Sequence, residues 1–120
     1  MSENKIYSFI GLARKAGAVA PGESAAINAL RNGKAYIVIL ANDASENTQK
    51  RFTNYCNSKS VQLVPFGLKS SLGETLGKEV FSVMAITDKR FSDRIIELIR
   101  LNNQDNTAHG GGFFEQTENS

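Results

Sequence analysis

Residues 35–43 read AYIVILAND, and the interpretation of this stretch decides the fold. Tyr36, Ile37, Val38, Ile39, Leu40 and Ala41 are apolar without a break, and Asn42 and Asp43 end the run. A strand with one face in water alternates apolar and polar side chains, and this one does not. The run is too short for a free-standing helix and is rich in β-branched residues. It therefore predicts a strand covered on both faces, at the centre of a sheet with helices on either side.

Upstream, residues 23–32 form a helix with Ala26, Ile27 and Leu30 inward and Gly33 as its stop, and Lys34 leads into the strand. Before it, residues 18–21 are extended, since Pro21 biases Ala20 away from helix and Gly22 completes the turn. Residues 5–16 carry Ile6, Phe9, Ile10 and Ala13 at helical spacing, with Asn4 as N-cap and Gly17 as stop. Downstream, Asn42, Asp43 and Ser45 offer caps for a helix over 45–59, whose apolar side is Phe52, Tyr55 and Cys56. Residues 61–66 (VQLVPF) predict a second apolar strand. Ser71 and Glu74 match a capping box, so a short helix should end before Gly77. Residues 81–86 (FSVMAI) predict a further strand. Asp88 then caps a helix with Phe91, Ile95, Leu98 and Ile99 inward, reaching about Leu101.

Strands alternating with helices in this order give an α/β protein. The expected form is a three-layer α-β-α sandwich, with a mixed central sheet of about four strands and helices on both faces. Residues 1–102 form one domain, and 103–120, which lack periodicity, read as a flexible C-terminal tail. The body holds all 14 Lys and Arg but 9 of the 12 Asp and Glu, a net +5, while Asp105, Glu115 and Glu118 give the tail −3. A basic body of this kind permits a polyanionic partner. The absence of any apolar run of membrane-spanning length and the polar start, MSENKIY, lead us to expect a cytoplasmic protein with no membrane partner. Cys56 is the single cysteine, which fits a reducing compartment.

Catalytic chemistry is poorly supplied. His109 is the one histidine and lies beside three glycines in the expected tail, so Ser-His and Cys-His systems lack a held base. Metal-ligand spacing is missing, and no cofactor motif is present: the scattered glycines do not make a phosphate loop. Asp43 and Asp88 each follow an apolar strand, where α/β enzymes place carboxylates, but helix capping explains both more cheaply. What remains is a binding surface. Gly22 and Glu23 open the second helix, whose N–H groups can receive phosphate while Glu23 accepts from a base. Arg14 and Lys15 precede this turn, and Arg31 and Lys34 follow the helix, as basic flankers. A second loop carries Lys78, Glu79 and Val80 ahead of a strand.

Three segments, LARKAGAVAPGE, LRNGKAYIVILANDASENT and VPFGLKSSLGETLGKEVFSVMAITD, resemble in order and wording the family of ribosomal protein L-seven-Ae and its L-thirty-e relatives, in particular the bacterial YlxQ-like branch. The likeness runs from about Ile6 to Leu101. It implies an α-β-α sandwich that is not an enzyme and that binds structured RNA, ribosomal or another non-coding RNA, as a monomer. It further implies contacts from Gly22, Glu23, Ser24 and Asn28 at the second helix and from Lys78, Glu79 and Val80 in the loop before the last strand. Kink-turn binders of the family carry Asn-Glu-x-x-Lys at the start of that helix. Counting back from Gly33 puts the lysine slot on Asn28 and the Asn-Glu pair on Ser24 and Ala25. Aligning Glu23 with the family glutamate puts the slot on Ala26. The lysine is absent in both registers, which turns the expectation toward a different RNA or weaker binding. The second function class is a protein-interaction module on the same fold, favoured by the missing lysine and the amide-rich third helix. The third is a small enzyme using Asp43 or Asp88.

Overall fold

The computed structural model describes residues 3–77 and 80–110, with side chains through 104. Five helices and four strands alternate: α1 (Glu3–Lys15), β1 (Val19–Pro21), α2 (Glu23–Arg31), β2 (Ile37–Leu40), α3 (Glu46–Lys59), β3 (Gln62–Pro65), α4 (Lys69–Thr75), β4 (Val83–Ile86) and α5 (Lys89–Gly110). The strands form one mixed sheet in the order β1-β4-β2-β3. β4 runs antiparallel to both β1 and β2, and β2 runs parallel to β3. Helices α2 and α3 pack together over one face, while α1, α4 and α5 cover the other. This is the expected α-β-α sandwich.

The sequence pattern explains the layering. All four residues of β2 and all four of β4 are buried, as continuous apolar strands sandwiched between helices should be. β3 lies at an edge and is mostly uncovered, so Pro65, which has no N–H to donate, costs no ladder bond on its free side. The core gathers Ile6 and Ile10 of α1, Leu30 of α2, Phe52 of α3, Leu72 of α4 and Ile95 and Leu98 of α5 around the two central strands. Each such side chain, fully buried, contributes about 2 kcal/mol through removal of its apolar surface from water.

Three expectations require correction. α1 begins at Glu3, so Asn4 lies inside the helix and does not cap it. The Glu3 carboxylate there suits the positive end of the helix dipole. The capping box at Ser71 and Glu74 does not form either. α4 starts three residues earlier, with Leu68 in place of Ser71 at its N-cap and no side-chain cap from its own segment. Its first turn is instead bound from a distance: Asp43 Oδ1 accepts from Lys69 N–H at 2.8 Å, and this tertiary bond outweighs the local pattern. Lastly, α5 passes the expected end at Leu101 and reaches Gly110, overrunning the start of the expected tail. Nothing in residues 102–109 breaks a helix, and Asn102 is itself buried. His109 belongs to this helix, and Phe113 and Phe114 fall outside the described residues.

Ser45 and Asp88 do cap as expected. Ser45 Oγ accepts from Thr48 N–H at 3.2 Å, and Asp88 Oδ1 accepts from Arg90 N–H at 2.8 Å and Phe91 N–H at 3.2 Å.

Gly67 joins β3 to α4 with φ 76°, and a Cβ there would stand 2.5 Å from the Tyr7 hydroxyl oxygen. Gly33 has a similar φ of 69° with nothing within 4 Å. Both Gly→Ala variants should therefore lose about 1 kcal/mol to left-handed strain, and Gly67→Ala should lose at least about 1 kcal/mol more by overpacking. Urea unfolding of the two variants measures the difference, and equal losses would refute the crowding at Tyr7.

Cys56 is buried on the inner side of α3, and burial pushes its thiol from 9.0 up to about 11. A raised folded value means stability is intact below the unfolded thiol's range and is lost as pH climbs from about 9 toward about 11. The neutral, covered thiol should react with a maleimide roughly a hundredfold more slowly in native protein than in urea. Comparable rates would show that Cys56 is accessible in the folded state.

Candidate nucleic-acid interface

The register of β4 brings the two candidate turns together. Pro21 lies opposite Met84 in the β1–β4 ladder, and the next residue, Gly22, donates its N–H to Val83 C=O at 2.9 Å. Gly22 has φ 92° and ψ 168°, a conformation open to glycine, and a Cβ at this position would meet the Phe81 ring at 3.4 Å. Phe81 belongs to the connection between α4 and β4, which its own N–H ties to Lys69 C=O at 3.1 Å. Gly22 therefore rests on the segment that carries Val80, which is 53% exposed. Lys78 and Glu79 lie outside the described residues.

Gly22 is also the N-cap of α2 and, with no side chain, caps none of its N–H groups. Ser24 and Asn28 are exposed four residues apart on one stripe of the helix, and Arg31 continues it three residues on. From Ser24 to Arg31 the stripe is about 10 Å long at 1.5 Å per residue.

Glu23 is more constrained than the sequence implied. Its Oε2 accepts from Thr48 Oγ1 at 3.2 Å, and its Oε1 forms an ion pair with Arg51 Nη1. Thr48 is nearly fully buried and also receives the Ser45 hydroxyl at 3.0 Å. Ser45, Thr48 and Arg51 recur every three residues along α3, so one side of that helix holds the Glu23 carboxylate. Any base that Glu23 accepts from must use the lone pairs these partners leave.

The basic flankers do not gather at Gly22. Arg14 and Lys15 end α1 and line a groove between α1 and α4 together with Thr75, Leu76 and Gly77, the last residue before the undescribed pair. Lys34 leads to Tyr36, whose N–H donates to Ile86 C=O, at the end of β4 opposite Gly22. Two cations that sequence reasoning passed over do sit near the Gly22 end. Lys69 opens α4 next to exposed Leu68, and Arg51 stands at the head of α2. Nothing in the local text marks Arg51, since only the packing of α3 against α2 decides which α3 residues face Glu23. The Asp43 cap on α4 was equally invisible, being a bond across 26 residues of chain.

The carboxylates proposed for an enzyme are occupied in helix capping: Asp43 by Lys69 N–H, Asp88 by Arg90 and Phe91 N–H. Among the described residues no group of three or more His, Cys, Asp or Glu is placed to hold a metal ion, and no helix is long and apolar enough to cross a membrane.

Comparison with known proteins places the chain in a family. The "RNA-binding protein YlxQ" of Bacillus subtilis (strain 168) is 37% identical over 99 residues, covering 82% of this chain and 99% of that one. The protein of the same name from Enterococcus faecium is 36% identical over 98 residues, covering 82% and 94%. Among solved structures, a protein of unknown function from Bacillus halodurans C superposes with a TM-score of 0.76 at 32% identity, covering 80% of this chain and 97% of that one. The Giardia lamblia 15.5kD RNA binding protein shares the fold, with a TM-score of 0.66 at 20% identity over 85% and 88% of the two chains. Residues 4–96 match the family described as "Ribosomal protein L7Ae/L30e/S12e/Gadd45 family", and this chain belongs to it.

Proposed function

We propose that this chain binds structured RNA and performs no reaction, presenting the Gly22 turn and the connection before β4 as one continuous surface. The observation that carries this reading is the placement of the Phe81 ring 3.4 Å from where a Gly22 Cβ would stand, together with the Gly22 N–H bond to Val83 C=O. It makes neighbours of two segments that the sequence keeps some 60 residues apart, and it leaves a side-chain-free patch of backbone beside them. A sugar-phosphate backbone can approach such a patch closely, and RNA is recognised largely by shape and by unpaired bases. The names of the bacterial relatives and the family match support RNA as the ligand.

Within this site we assign the backbone of Gly22 and the side chains of Ser24 and Asn28 to the RNA strand. Lys78, Glu79 and Val80 form the second contact, with Val80 as an apolar rest for an unstacked base. Glu23 orients the head of α2 and offers its remaining lone pairs. Arg31, on the same stripe as Ser24 and Asn28, reaches a phosphate further along the strand. Arg14 and Lys15 approach from the α1–α4 groove, and Lys34 lies outside the footprint. Asn28 or, in the other register, Ala26 stands where kink-turn binders carry lysine, so a sharply bent ribosomal RNA element other than the standard kink-turn is the favoured partner, bound by one copy of the chain.

Gel-shift titration against labelled ribosomal RNA fragments tests this. Binding should fall with salt along a log–log slope of about −2 to −3, as expected for roughly three to four phosphate contacts. Gly22→Val, which crowds Phe81 and strains the turn, should weaken binding about tenfold, and Lys78→Ala should reduce the slope by about 1. Binding indifferent to both substitutions would refute the site. Capture of protein partners that survives ribonuclease, with no RNA bound, would refute the function in favour of a protein-interaction module.

A further inference from the structure

We infer that Arg51 of α3 is a phosphate-binding residue, and that the RNA footprint turns from the head of α2 onto the exposed side of α3. The inference rests on the RNA-binding reading above. Near the Gly22 turn a polyanion needs cations, yet Lys34 lies at the other end of β4, and the α2 positions after Glu23 hold Ser24, Ala25, Ala26, Ile27 and Asn28 without a positive charge. Arg51 fills that gap from the neighbouring helix. Its Nη1 meets Glu23 Oε1, which places the guanidinium at the first residue of α2, and its side chain is 44% exposed.

A guanidinium carries five N–H donors in a planar fork. Among the described residues one of its nitrogens is engaged, by Glu23. With the side chain 44% exposed, the remaining donors of the fork are left to bind phosphate oxygens in pairs. Glu23 fixes the direction of the fork, and an exposed ion pair of this kind contributes little to folding, so holding the fold together is a small part of what Arg51 can do. The surrounding helix suits the same ligand. α3 contains one acid, Glu46, against Lys50, Arg51 and Lys59. On its exposed side Thr53 and Gln49 donate to backbone carbonyls of Gln49 and Ala44, while the exposed amides of Asn47 and Asn54 can donate to sugar and phosphate without opposing their charge.

The test separates a phosphate contact from a tether by working where the tether is already gone. The probe is a labelled ribosomal RNA fragment that the unmodified protein shifts, with binding measured across a salt series. Glu23→Gln removes the ion pair and reports what Glu23 itself contributes. Adding Arg51→Gln on that background should weaken binding about five- to tenfold and reduce the salt slope by about 1, while Arg51→Lys should recover part of the loss. Arg100→Gln, on the opposite layer, should change neither. Thermal melts that coincide for the single and double variants show that folding is not the cause. Equal affinity and equal slope for Glu23→Gln and the double variant would overturn the role of Arg51 and leave RNA binding standing. Failure of the unmodified protein to shift any fragment would overturn the RNA-binding reading itself.

Discussion

The antiparallel pairing of β4 with both β1 and β2 is the constraint on which the rest depends. β4 is the last strand in the chain, yet it is inserted between β1 and β2. That insertion carries the connection before β4 to the same end of the sheet as the turn after β1. The Gly22–Val83 hydrogen bond is the final rung of this ladder. A shift of β4 by one residue would turn its buried side chains to the wrong faces and would also remove Phe81 from beneath Gly22. Core packing and surface geometry are thus set by one register.

The sequence disclosed what depends on periodicity and concealed what depends on distance. Continuous apolar runs announced β2 and β4 as buried strands, and the α/β alternation then followed from helical spacing in between. Pro21 and Pro65 both lie in edge strands, β1 and β3. Local capping was legible where it is local, at Ser45 and Asp88. It misled at Ser71, because the competing donor–acceptor pair joins Lys69 to Asp43, two residues with no common sequence pattern. The end of α5 was misjudged for a different reason. Loss of apolar periodicity after Leu101 removes the sequence signal for a helix, but the backbone needs no change until something breaks it.

The candidate site divides the same way. Gly22 stood out as a turn glycine ahead of a helix, and its φ of 92° gives that glycine a steric reason. Glu23 stood out as an acceptor, but its partners are Thr48 and Arg51, and a helix packed alongside is needed to see them. Proximity in sequence also misled for the basic residues. Lys34 follows α2 closely, yet one helix length separates it from the turn, whereas Arg51, 28 residues from Glu23, touches it.

A site built this way favours recognition of shape over recognition of a short sequence. The N–H and C=O of Gly22 are both committed, the first to Val83 and the second to Ala26, so the turn has one conformation to offer. Thr48 fixes the carboxylate of Glu23 from a buried position, and Phe81 is tethered through Lys69. The protein side therefore loses little conformational freedom on binding, and the ordering cost falls on the ligand. A ligand that already holds a sharp bend bears less of that cost than a flexible single strand. On the RNA-binding reading proposed above, selectivity would come from the difference between RNA that arrives bent and RNA that must be bent, a difference that a scaffold with few base-specific side chains at its rim can use.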